Sequence, residues 1–422
     1  MTLPFSYLAL PGFNIGAAQS PQQPRLDPVN DQIAYITYED VVSNPGILTI
    51  AAIDMVTQSV IRRTAIANTD SQGTIAIAFA ADNIVLWAGK TGAAAFKFWL
   101  LKKSDFSTIS FSADFTLPTF LSSSVNDANI AISNDGQWVA VDGGFDGGGP
   151  GQYIEIWHST TNVLYQSLLS AFIATPNTMR SLCFDGSNNL YMNVGIHGGF
   201  YKFSLAEVAG VIVPALIGTF TLPFAPGPTL FVKAITYHPS VNKFSLWCES
   251  PQSGSQNLLL QFWDIGTDII DPVSYTIPVT TVPIDVGTLS IFDMQGATNR
   301  TQFVSIFGSP VSFADCFFGV FDITTGIMQQ YLISLWDPTG NVFGGNDPPN
   351  AFGVYSPSVN DFYISQNGVS FGPPDLHSIA FSLPAPPPRV TPIIPFRTIL
   401  PLPKPKYAFS MLLARECNTK GL

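Results

Sequence analysis

The stretch ISNDGQWVAVDGGFDGGGPGQYIEIWHSTTNVLYQSLL, residues 132–169, decides how the rest of the chain is read. An apolar run meets a tight Ser-Asn-Asp-Gly turn and a second run, QWVAVD (137–142), follows. A glycine-rich loop then leads to IEIWHSTTN (154–162), a third run ending in a short polar turn, and a fourth run closes the segment. Short apolar runs rich in β-branched and aromatic residues, bounded by Asn, Asp and Gly, are the pattern of strands and hairpins rather than of helices.

The same unit recurs. Second strands are expected at QIAYIT (32–37), NIVLWA (83–88), QWVAVD (137–142), NLYMNV (189–194), KFSLWC (243–248), QFVSIF (302–307) and DFYISQ (361–366), with starts 51, 54, 52, 54, 59 and 59 residues apart. Third strands with polar turns follow at AAIDMVTQ (51–58), FWDIGTD (262–268) and GVFDITTG (319–326), and closing strands end on DFTLP (114–118), TFTLP (219–223) and SYTIP (274–278). Four strands at this period are the signature of a propeller blade, because each unit buries its faces only against its neighbours. The expected fold is all-β: a seven-bladed β-propeller over residues 1–383.

The seventh unit runs from its third strand, HSIAFSLP (377–384), into a proline-rich segment and leaves no room for a fourth strand. SYLALP (6–11) matches the closing signature, so residues 6–10 are expected to pair with 377–382 and close the ring. Closure removes open sheet edges that would otherwise template aggregation.

Composition agrees with many short strands. Gly and Pro number 34 each, 46% of residues are hydrophobic, and only 11% are charged, against about a quarter in an ordinary soluble domain. So little surface charge points to a surface covered by partners. The net charge of −11 is uneven: residues 383–422 hold six bases and one acid, which leaves 12 bases against 28 acids, net −16, in the first 382. An acidic body argues against wrapping nucleic acid by phosphate neutralisation, although DNA could pass beside it without specific binding. Cys183, Cys248, Cys316 and Cys417 lie far apart and are expected to be free thiols. The opening MTLPFSYLALPGFN lacks a basic n-region, so no secretory signal is expected. Residues 208–232 carry no charge, yet four prolines and the repeat assign them to an outer strand plus loop, and no membrane insertion is expected.

In a propeller the loops between second and third strands share a face with the blade-to-blade connections. The candidates there are Asp142 and Asp146 in VDGGFDGGGPG (141–151), then His197, Glu249, Asp315 and Asp375. Two carboxylates in eleven residues fall short of the oxygen count calcium takes, so the glycine-rich run is expected to be a plain loop. His158, His197, His238 and His377 fall in four different units, which makes structural histidines the expectation; no metal or cofactor is expected. SNDGQW (133–138) is similar to the Asp box of sialidase propellers but lacks two of its positions. The body offers only Arg25, Arg62, Arg63, Arg180 and Arg300 for the arginine cluster such enzymes use. FWDIGT (262–267) has the Trp-Asp pair of WD repeats in one unit only. No nucleophile elbow, phosphate loop or zinc helix motif is present, and no catalytic residue is assigned.

Residues 384–422 differ from everything before them. Nine prolines between 384 and 406 exclude helix and central strand and leave an extended chain. Its apolar side chains need a surface to cover, and its bases suit an acidic body. The expected docking residues are Arg389, Ile393, Phe396, Arg397, Leu400, Lys404, Lys406, Tyr407 and Phe409, reaching to a neighbouring subunit rather than folding back.

In architecture and composition the chain resembles the nozzle or hub proteins of short-tailed bacteriophages. That resemblance implies a non-enzymatic structural component of a virion, assembled in the host cytoplasm. It also implies a ring of about six identical subunits, contacts with adaptor or other tail proteins, and DNA passing through the ring. A glycan-binding propeller and a propeller hydrolase are the two other readings; fold alone does not separate them.

Overall fold

The computed structural model describes residues 5–9, 18–19, 25–40 (except 28 and 31), 47–69 (except 58 and 68), 75–90 (except 81), 93–114, 130–142, 153–168, 179–194 and 199–221. It further describes 231–239, 241–249, 257–271, 275–278, 303–308, 315–322, 327–334, 351–356, 361–366 and 376–381. By internal contacts the chain divides into Met1–Ser382 and Leu383–Leu422, and every described residue belongs to the first unit.

The described elements are all strands, and they form antiparallel sheets that succeed one another along the chain. β1 (Phe5–Ala9) belongs to the last of them. Sheet one holds β2 (Ala18–Gln19) and β3 (Arg25–Leu26), both paired with β4 (Ile33–Asp40), then β5 (Leu48–Asp54) and β6 (Ser59–Ala65). Sheet two runs β7 (Ile75–Phe79), β8 (Asn83–Lys90), β9 (Ala93–Lys102), β10 (Thr108–Phe111). Sheet three is β11 (Ile130–Ile132), β12 (Trp138–Asp142), β13 (Tyr153–His158), β14 (Val163–Leu168). Sheet four is β15 (Met179–Phe184), β16 (Leu190–Val194), β17 (Gly199–Val208), β18 (Val211–Thr221).

Sheet five is β19 (Phe231–His238), β20 (Lys243–Glu249), β21 (Asn257–Asp264) and two short partners of β21, β22 (Ile269–Ile270) and β23 (Tyr275–Pro278). Sheet six has three described strands, β24 (Phe303–Gly308), β25 (Asp315–Asp322) and β26 (Ile327–Ser334). Sheet seven is β27 (Ala351–Ser356), β28 (Asp361–Gln366) and β29 (Leu376–Phe381), with β1 antiparallel to β29. The register there sets Phe5 opposite Phe381 and Ala9 opposite His377.

Each expected second strand falls on a strand of the structure, from β4 to β28. These strands are apolar at successive positions because both of their faces are covered. In β8, Ile84, Leu86 and Ala88 pack with Tyr35, Leu48, Ile50 and Ala52 of sheet one. Val85, one residue out of phase, packs with Val139, Val141 and Trp157 of sheet three. β16 repeats the arrangement: Leu190 and Met192 join Trp138 and Ile156, while Tyr191 joins Phe244, Leu246 and Trp263. Rings meet across the seams, Phe98 stacked on Trp157 at 5.6 Å and Tyr191 edge-on to Phe244 at 4.7 Å. First strands lie side by side in chain order, β7 by β11, β11 by β15, β15 by β19; β27 lies beside β3 as well as β24.

The outer strands answer to a different environment. β6 and β10 are half-exposed or exposed along their length, whereas β5 is buried at all but its last residue. Sheet two closes on Thr108–Phe111, earlier in the chain than the DFTLP signature at 114–118, of which residues 115–118 lie outside the described residues. The Pro-containing segment 208–232 supplies β18 as its outer strand, and no helix among the described residues is long and apolar enough to cross a membrane. Four of the positive φ values fall on polar hairpin turns: Asn162, Asn188, Asn242 and Asp268 lie between 51° and 63°, a region these short polar side chains tolerate better than most.

Candidate functional site

Antiparallel connectivity gives each sheet two kinds of end. One carries the turns joining first to second and third to fourth strands; the other carries the second-to-third loops where the sequence placed its candidates. Three of those candidates sit on strand ends. Asp142 is the last residue of β12, opposite Ile154; Glu249 is the last of β20, opposite Phe231 and Leu258; Asp315 is the first of β25, opposite Ser334. They belong to sheets three, five and six. Asp146, His197 and Asp375 lie outside the described residues, as do all nine docking residues expected between 389 and 409.

The turn end is built in detail, and it holds polar groups that the sequence did not single out. Asp27, in the turn LDPVN, accepts hydrogen bonds from the backbone N–H of Val29 (2.7 Å) and Asn30 (3.1 Å), a turn typical of aspartate. The same oxygen meets Lys103 Nζ of sheet two at 3.0 Å, and Tyr35 donates its hydroxyl to the other oxygen at 3.0 Å. All three side chains are buried. Burial lowers the affinity of Lys103 for its proton, against the pull of Asp27. Burial and then Asp27 hold the Tyr35 hydroxyl protonated well beyond the ordinary tyrosine range.

The next seams carry comparable links. Between sheets three and four, His158 stacks on Trp138 with ring centres 4.3 Å apart and places Nδ1 2.5 Å from Glu207 Oε2. Thr161 donates to the same carboxylate, and these two bonds, Thr161 first, keep Glu207 below the usual carboxylate range. Asp135 fixes its own turn through Gln137 N–H (3.0 Å) and the Ser133 hydroxyl (2.6 Å), and accepts Asn188 Nδ2 of sheet four at 2.7 Å. Between sheets four and five, Asp268 accepts the Tyr191 hydroxyl at 2.9 Å and pairs with Lys202 at 3.0 Å. Burial drives the Tyr191 hydroxyl upward, as it does the Cys183 thiol, pushed up to about 12.

These carboxylates are engaged by two or more donors and the hydroxyls beside them are held neutral. Such groups pin adjoining sheets together. Among the described residues no group of three or more His, Cys, Asp or Glu comes together to hold a metal ion. The Asp box likeness at 133–138 resolves into the Asp135 turn, and the Trp263-Asp264 pair into a hairpin where Asp264 accepts Thr267 N–H at 2.9 Å. His158 ties two sheets and His238 is buried against Ser245, so both described histidine side chains serve packing. The signal for these links was present in the recurrent turn aspartates Asp27, Asp135 and Asp268. Their partners come from units 53 to 77 residues away, beyond any local pattern.

No protein-family model matches the chain, and no curated protein does. Among solved structures, the chain is similar to an oligogalacturonate lyase in complex with manganese, at 10% identity over 90% of this chain and 97% of that one, with a TM-score of 0.49. It is also similar to hydrazine synthase of Kuenenia stuttgartiensis, at 9% identity over 69% and 76%, with a TM-score of 0.41. No residue role is carried over from either.

Proposed function

We propose that the chain is a seven-bladed β-propeller, closed by β1 in the last blade, that serves as a non-enzymatic structural subunit of a virus particle. In its specific form the proposal is a nozzle or hub subunit of a short-tailed phage. Identical copies form a ring about the DNA exit channel, joined to an adaptor or other tail proteins, and the arm 384–422 of each copy docks on its neighbour.

The observation that carries this reading is the apolar character of the outer strands. Ile61, Ile109, Phe111, Leu216, Ile217 and Ile269 are exposed large hydrophobics on β6, β10, β18 and β22, in four of the sheets. A free-standing propeller turns these strands to water and colours them with charge; a chain with 11% charged residues and an apolar rim is suited to burial among partners. The acidic body, net −16, suits a wall past which DNA slides without sticking.

Light scattering and negative-stain imaging of the purified chain test the proposal. Rings are expected from the full chain, and a chain ending at Leu383 is expected to fold but to remain single. A full chain that stays monomeric at high concentration, or one that turns over a glycoside or lactone, would sink the structural reading.

A further inference from the structure

The hairpin of β17 and β18 departs from the rest of the molecule. It is the longest strand pair described, turning through Ala209 (φ 52°) and Gly210 (φ 77°), two successive left-handed residues that make a tight two-residue hairpin turn. Its register sets Val208 opposite Val211 and Ala206 opposite Val213. One face is covered: Ile212 is buried with Trp138 and Ile156 of sheet three, Leu205 packs beside it, and Glu207 is held by His158 and Thr161. The other face is open and apolar, with Val208 and Val211 each 59% exposed and Val213 45% exposed, continuous with exposed Ala206 and Ala215. A sheet face turned to water ordinarily alternates to polar residues. This one has no charge at all from Val208 to Thr221.

The turn of sheet five reaches β17 at Lys202, where Asp268 makes its ion pair. Strand addition to the edge of the hairpin is blocked twice. Pro214 lacks an N–H, and a bulge sets Lys202 opposite Gly218 but Phe203 opposite Leu216, leaving Ile217 unpaired. An occupant must therefore engage side chains without needing a backbone ladder.

We infer that the open face of this hairpin, centred on Val208, Val211 and Val213, receives residues 390–402 of a second copy of the chain. This rests on the ring reading above and supplies the surface it lacks. The segment VTPIIPFRTILPL carries three prolines, each without a backbone N–H, so like the hairpin edge it is ill-suited to a continuous ladder and engages by its side chains. It brings Val390, Ile393, Ile394, Phe396, Ile399 and Leu400, spaced along thirteen residues. β29 ends at Phe381. At about 3.1 Å per residue in an extended proline-rich conformation, Ile393 lies within roughly 35–40 Å of that point, a subunit-scale reach.

The test uses the full chain in three forms: Val211→Glu with Val213→Glu, Ile393→Glu with Phe396→Glu, and all four together. Assembly is followed by light scattering against concentration, with thermal unfolding as the check on folding. Each pair is expected to raise the concentration needed for rings at least tenfold while leaving the melting temperature near that of the parent. The fourfold variant is expected to lose no more than either pair, because one contact can be broken only once. Wild-type rings that persist unchanged in the hairpin variant, or losses that add in the fourfold variant, would overturn this docking face and leave the ring reading standing. A wild-type chain that never assembles would overturn both.

Discussion

Acid should weaken this fold through a single imidazole. His238 ends β19 at 1% exposure, with Nε2 2.8 Å from the Ser245 hydroxyl and no hydrogen-bond partner for Nδ1. A cation there would be stripped of water with no carboxylate beside it to compensate, and burial accordingly brings the pKa from 6.5 down to about 4. The folded protein thus holds His238 neutral, while the unfolded chain takes up a proton near 6.5. Stability from this group is complete above that value and is lost as pH falls from 6.5 towards 4. With ~1.36 kcal/mol for each pH unit of displacement, the loss approaches roughly 3 kcal/mol by pH 4.

Urea unfolding of the full chain at half-unit steps from pH 7.5 to 4 measures it, beside a His238→Gln variant. Carboxylates titrate in both proteins, so the difference between their slopes isolates the imidazole. The parent should fall more steeply than the variant between pH 6.5 and 4.5. Parallel curves over that interval would refute the reasoning.

Other outcomes follow from the seams. Lys103→Met leaves Asp27 buried without its cation and should cost about 3–5 kcal/mol, read as a fall in urea midpoint; adding Asp27→Asn should recover part of it. Gly186→Ala would place a Cβ 2.5 Å from the Tyr237 hydroxyl oxygen. It should cost about 1–3 kcal/mol, most of it restored by Tyr237→Phe, and an Ala variant as stable as the parent would show that the tyrosine swings aside freely. Removing residues 1–12 deletes β1 and bares the edge of β29; the shortened chain should aggregate or melt well below the parent, visible in a scattering-monitored thermal ramp.

How much of this was readable in advance varies by element. The second strands were legible because burial on both faces writes an unbroken apolar run, as in NIVLWA and NLYMNV. Third strands were legible from their polar turns, Asp264 and Asn162 among them. First and fourth strands were not so well marked. Sheet one splits its first strand into the two-residue pieces β2 and β3, too short to leave a period, and β10 alternates over only four residues and turns its apolar positions Ile109 and Phe111 to water. The ion pairs across seams were invisible, since nothing near Asp27 in sequence announces Lys103. Hairpin length escaped as well: SLAEVAGVIVPA reads as strand, loop or membrane segment until its pairing is known. The candidate carboxylates were chosen from loops, whose composition fixes no partner, and those among the described residues, Asp142, Glu249 and Asp315, rest on strand ends.

The out-of-phase packing of β8 and β16 has a bearing on how such a chain can change. Leu190 and Met192 answer to one neighbour and Tyr191 to the other, so the residues that must agree with one another are drawn from two successive repeats. The heritable unit is then the joint, half of one sheet with half of the next. Transplanting a whole repeat into another position would bring two ill-fitting joints at once, whereas cutting along the midline of adjacent sheets would carry one matched joint intact. A chimera built with its breakpoints in second strands should therefore fold better than one built with breakpoints in the loops between sheets, contrary to ordinary practice for modular proteins.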